Sequence, residues 1–96
     1  MTVVKFSKPH NYEGKEYAEI ELDLDALTGN DIEQAQQLLV VEKKAVPGLP
    51  EFSKAYCAQV AALAAKQPVE LIRSLRLKDY NQVIGEVQDF LLDGAL

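Results

Sequence analysis

Apolar and polar residues alternate near the start of the chain, and that alternation predicts two strands. Thr2–Lys8 (TVVKFSK) is short, rich in β-branched residues and roughly alternating, as an edge-type strand would be. In Glu16–Asp23 (EYAEIELD), Ala18, Ile20 and Leu22 fall on one side and Tyr17, Glu19, Glu21 and Asp23 on the other. Between them Pro9, Asn11 and Gly14 supply turn chemistry, and Gly14 can take a positive φ. An antiparallel hairpin follows, with one apolar and one acidic face. Its apolar face needs helices over it, because an isolated hairpin is marginal in water.

Past Leu24 the period lengthens to that of a helix. Thr28 has the side chain of an N-cap, and Asp31, three residues on, occupies the acid position of a capping box. The first helix is predicted to run to about Lys44, with Ile32, Ala35 and Leu39 as its core stripe and Leu38 beside it. Val40 and Val41 fall off that stripe. Val46–Pro50 (VPGLP) is a break, and a second helix is predicted from about Pro50 to Lys66. Phe52, Tyr56, Val60 and Leu63 share one of its faces, and most of the rest is alanine, which favours helix and lets neighbours approach. Pro68 restarts the chain into a short helix with Val69, Ile72 and Leu75 inward. The last helix, about Lys78 to Leu92, carries the stripe Tyr80, Val83, Ile84, Val87, Phe90 and Leu91. Gly85 interrupts it at a propensity cost of about 1 kcal/mol relative to alanine, which suggests close packing there, and Gly94 is a plausible stop. Strands followed by helices argue for an α+β fold: an N-terminal β-hairpin and a small bundle of three to four α-helices, in one domain spanning residues 1–96.

Composition narrows the function classes. Apolar residues make up 48% and charged residues 26%, as in ordinary globular domains, and the apolar runs are too short to span a membrane. The net charge of −5, of which −4 lies in residues 1–50, argues against binding a phosphate backbone. One cysteine cannot form an internal disulfide, so the cytoplasm is the default location.

The acidic stretch from Glu16 to Asp31 raises the question of a metal. A calcium loop begun at Asp23 would place Leu27, Thr28 and Gln34 where the fifth, sixth and twelfth positions need an Asp or Asn, a Gly and a Glu. The ordinary explanation is better: Glu19, Glu21 and Asp23 are the wet side of a strand and Asp31 is a cap. His10, in a turn, and Cys57, mid-helix among apolar residues, are not predicted to meet as a nucleophile–base pair. The glycines are isolated, so no phosphate cradle is expected. Arg73, Arg76 and Lys78 form a basic corner, solvated or facing an acidic partner. No catalytic, metal or cofactor-binding residue is therefore assigned. An enzyme would require a pocket around Asp31, Asp79 or His10 with perturbed ionisation. Val40, Val41 and Val46, with Leu92 and Leu96, exceed what the stripes need; they either pack locally or form a contact surface for a partner, and Val40, Val41, Val46 and Leu92 are the candidate partner-binding residues.

The early strand ending in proline (VKFSKP), the segment YAEIELD, LTGNDI opening a helix, and VELIRSLRLKDYNQVIGEVQDFL near the end together resemble the small tail assembly chaperones of tailed bacteriophages and prophages, over nearly the whole chain. The resemblance implies a non-enzymatic protein of the host cytoplasm. Such a protein binds the long helical tape measure protein, keeps it soluble while tail tube subunits polymerise around it, and leaves before the virion is complete. It also implies that a longer, frameshifted product can accompany the short one. Partners would be the tape measure protein, the tail tube protein and further copies of the chain, with no nucleic acid, membrane or cofactor. The rival readings are a small adaptor or other protein–protein interaction module, and a structural tail component of phage origin.

Overall fold

The structure, a computed structural model, describes residues 1–42 and 53–93. It has the α+β architecture expected. Among the described residues two antiparallel strands, β1 (Thr2–Tyr12) and β2 (Lys15–Leu22), lead through a 3₁₀ turn (Leu24–Ala26) into four helices: α1 (Gly29–Val41), α2 (Lys54–Ala65), α3 (Val69–Ser74) and α4 (Leu77–Asp93). The hairpin turn is only Glu13–Gly14, with both residues at positive φ (50° and 79°), a two-residue turn whose twist matches that of the strands. Pro9 and Asn11, expected in the turn, belong to β1 instead.

A large bulge explains why Pro9 is tolerated. Lys5 pairs with Glu19 and His10 with Tyr17, so Phe6, Ser7, Lys8 and Pro9 stand opposite Ala18 alone. A proline at a bulge breaks no ladder hydrogen bond. The bulge also breaks the alternation of β2. Ile20 and Leu22 are buried as expected, but Ala18 is exposed, because the strand opposite it loops away, and Tyr17 is half-buried against the core. The apolar face of the hairpin is thus Val4, Phe6, Ile20 and Leu22.

The bulge is fastened from the far end of the chain. Asp79, in the first turn of α4 and 1% exposed, accepts hydrogen bonds from the Ser7 backbone N–H (2.9 Å) and hydroxyl (3.2 Å). A donor freed from the ladder must find a partner when buried, and a carboxylate at a helix N-terminus is also favoured by the dipole.

Helix α2 is the centre of the molecule. Every residue from Tyr56 to Ala62 is buried, and the helix packs against α1, α3, α4 and β2. The expected single apolar face is corrected to burial on all sides, which its alanines permit. Its start is corrected too: Ser53 is extended and its side chain accepts from the Tyr56 N–H, so the helix begins at Lys54 rather than near Pro50. Pro50 and Phe52 themselves lie outside the described residues, as do Lys43, Lys44, Val46, Gly94 and Leu96. Helix α1 begins with the full Thr28–Asp31 capping box and ends at Val41, short of the predicted Lys44, with Glu42 as its C-cap. On α4, Val83, Ile84 and Val87 are buried and Phe90 is mostly out of the core. The close packing expected at Gly85 is absent: a methyl group added there would meet nothing within 4 Å.

Candidate functional site

Among the described residues the large apolar side chains left exposed are Met1, Val3, Val40, Val41, Leu77 and Phe90, and of these Val40 and Val41 stand side by side where α1 ends. Val40 and Val41 are 58% and 68% exposed, because they project from the side of α1 opposite Ala35 and Leu39. Val41 and Leu38 form one wall of an open groove of about 460 Å³. Ala62 and Leu63 of α2 line it further, and Val69 of α3 contributes from the third helix. Glu42, Gln59, Lys66, Gln67 and Glu70 complete the lining. Small-molecule sites converge several polar groups on one point inside an enclosed cleft. Here the groove is open and apolar, a shape suited to side chains of another protein.

Of the four residues singled out from the sequence, only Val41 is in this groove. Val40 is exposed but does not line it, Leu92 is half-buried near the end of α4, and Val46 lies outside the described residues. Sequence reasoning treated Leu63 and Val69 as core; both are half-buried and face the groove. The signal that could have found them is the breadth of the apolar surface on α2, which exceeds one stripe.

One end of the groove is held by a charge cluster. Arg73 of α3 donates to both Glu42 carboxylate oxygens (2.6 and 2.8 Å), and the buried Gln59 amide donates to Glu42 Oε1 (3.0 Å). The hydrogen bond to Glu42 raises the ionisation of the Arg73 guanidinium further, against burial. A carboxylate at a helix C-terminus is disfavoured by the dipole, so Arg73 offsets an unfavourable placement and ties α1 to α3. The basic corner expected from Arg73, Arg76 and Lys78 is thereby broken up: Arg73 is paired and Arg76 reaches the Lys8 carbonyl (3.4 Å).

The candidate catalytic groups have structural duties. Asp31 closes its capping box and Asp79 holds the bulge. His10 sits in β1, edge-on to the Phe6 ring, with Nε2 2.8 Å from Ser74 Oγ. That contact has the reach of a catalytic pair, and the sequence did not predict it. The Ser74 hydroxyl, however, also has the Leu71 carbonyl at 2.7 Å as an acceptor for its proton, and when it donates there it takes a hydrogen bond from the His10 tautomer protonated at Nε2. A general base needs the opposite polarity. Cys57 is fully buried in the core. Among the described residues no three His, Cys, Asp or Glu side chains gather as a metal site, and no helix is long and apolar enough to cross a membrane. Comparison with protein-family models, curated proteins and solved structures gave no match.

Proposed function

We propose that this chain is a non-enzymatic phage tail assembly chaperone that binds the helical tape measure protein during tail morphogenesis. The observation that carries the reading is the open groove in which the exposed Val41 stands beside the half-buried Leu38, Leu63 and Val69. An amphipathic helix lays apolar residues at i, i+3, i+4 and i+7 into such a groove, and it is the mode of binding that a long helical client offers. Release before the virion is finished calls for a contact of modest area with few fixed polar partners, and an open groove supplies that. Binding would take place in the host cytoplasm, with tail tube protein as a further partner. The similarity of LTGNDI and LKDYNQVIGEVQDFL to the family supports the same reading.

The test is co-expression with a phage tape measure protein, the long helical client of the proposal. The client alone should be insoluble; with this chain it should become soluble and co-purify, and Val41→Asp should abolish the rescue while leaving the circular dichroism unchanged. A folded chain that neither binds nor rescues the client would reject the chaperone reading in favour of an adaptor. Retention in purified virions would instead make the chain a structural tail component.

A further inference from the structure

The outer edge of β2 presents a surface distinct from the helical groove, which it meets at Lys66 and Gln67. Strand backbones alternate, each residue presenting both its N–H and its C=O to the same side. The Asp23 N–H points away from β1 and donates to the Ala64 carbonyl of α2 (3.1 Å). By alternation the backbone groups of Glu21 and Glu19 also point outward, and those of Leu22 and Ile20 point toward β1, where they stand opposite Thr2 and Val4. Among the described residues no backbone hydrogen bond from outside the sheet reaches Glu19 or Glu21. The opposite edge, on β1, is treated differently: it is bulged, packed by α4 and fastened at Ser7 by Asp79. One edge of the sheet is guarded and the other is open, and an open edge is a template for another strand.

Beside the open edge runs a furrow between β2 and the end of α2. Two adjoining hollows of about 250 and 220 Å³ make it up, sharing Glu21 and Ala65. Leu71 and Ala65 lie on its inner side, and Glu19, Glu21 and Asp23 follow the strand. Lys66 and Met1 also line it, and Lys5 stands across from Glu19 on β1. The surface is therefore acidic as well as unpaired.

We infer that β2 accepts an extended segment of a partner protein as a third strand, and that this segment alternates Lys or Arg with small apolar residues. Main-chain hydrogen bonds would join Glu19 and Glu21, giving affinity without sequence preference. Side chains of the added strand point alternately to the two faces. Those on the outer face would meet Glu19 and Glu21 and should be cationic; those on the inner face would lie over Ala65 and Leu71 and should be small and apolar. A second copy of this chain is a poor occupant, since pairing β2 with β2 would set Glu19 and Glu21 against their own kind, and like charges opposite one another destabilise a sheet.

The probe is a capped heptapeptide of alternating Lys and Val, titrated into the full-length protein with amide NMR and hydrogen exchange as readouts. The expected result is slowing of exchange at Glu19 and Glu21 by at least about tenfold, with shifts confined to Tyr17–Asp23 and Ala64–Gln67. The exposed pair Glu19→Lys and Glu21→Lys should weaken binding by about tenfold with an unchanged dichroism spectrum. The same peptide N-methylated at alternate residues should fail to bind, because methylation removes main-chain donors and keeps the charge. Equal binding of the N-methylated peptide would reduce the contact to charge attraction and overturn the strand-addition proposal, as would shifts centred on Leu38, Val41 and Val69. Exchange protection of Glu19 and Glu21 that rises with protein concentration in the absence of peptide would assign the edge to self-pairing instead.

Discussion

Replacing Asp79 should destabilise the whole domain, and by an amount that the geometry sets. Asp79 is almost completely buried and accepts two hydrogen bonds from Ser7. The bond from the backbone N–H is of ordinary length for a charged acceptor and should contribute about 1.5–3 kcal/mol. The hydroxyl bond, at 3.2 Å, is long for its type and should contribute about 0.5–1 kcal/mol. Interaction with the N-terminus of α4 adds about 0.3–1 kcal/mol. Asp79→Ala should therefore cost about 2–5 kcal/mol, out of a total near 5–14 kcal/mol for a chain of this size. With a urea slope of about 1–2 kcal/mol/M, the unfolding midpoint should fall by about 2 M. Asp79→Asn should be milder, at about 1–1.5 kcal/mol, since the amide oxygen can still accept from the Ser7 N–H while its nitrogen donates to the hydroxyl. The assay is urea unfolding followed by circular dichroism, with hydrogen exchange at the Ser7 amide. Exchange at Ser7 should be slow in the wild type, nearly so in Asp79→Asn, and fast in Asp79→Ala. A loss below about 1 kcal/mol for Asp79→Ala, within the range of a lone neutral hydrogen bond, would refute the account of the bulge as held by this carboxylate.

Gly85→Ala should stabilise the protein by about 0.5–1 kcal/mol, because the helix gains a better former where a methyl meets open space; thermal melting reads it. Thr28→Ala should cost about 1 kcal/mol by opening the capping box at the start of α1, measured the same way. Burial raises the Tyr80 phenol above its usual value, with Arg73 opposing and Cys57 adding to the shift. The unfolded phenol therefore loses its proton first, so this contribution is intact below about pH 10 and is lost as the pH climbs through the raised value. Urea midpoints measured across that range should fall less steeply in Tyr80→Phe than in the wild type.

How much of this was legible in the sequence depended on whether a feature is local. The Thr28–Asp31 capping box, the strand of Ile20 and Leu22, and the stripe Val83, Ile84, Val87 all rest on neighbours within a turn or two, and all are where their spacing placed them. The bulge was not legible, since Phe6–Pro9 reads as the end of a strand and a turn; only the partner strand, through the pairing of His10 with Tyr17, shows that the strand goes on. Burial of α2 on every side was hidden for a similar reason, because alanine is compatible with core and surface alike. Ser53 was a signal within reach that Pro50 masked, since both residues suit a helix start. For the candidate site, Val40 and Val41 were recognised as surplus to the α1 stripe, but only tertiary packing sends Val41 into a groove with Leu63 and Val69 and leaves Val40 apart from it.

The clasp between Ser7 and Asp79 also sets a timetable for synthesis. The two residues are 72 positions apart, which at ribosomal speeds of about 5–20 residues per second separates their appearance by roughly 4–14 s. Throughout that interval Val4, Phe6, Ile20 and Leu22 have emerged, or are emerging, without the helix that will cover β1. The nascent chain thus carries an uncovered greasy ribbon until translation is nearly over. What shields it from its neighbours on the polysome is the charge on its other side, from Lys5, Glu19 and Glu21. Those residues would then be kept as much for the seconds before folding as for the folded protein.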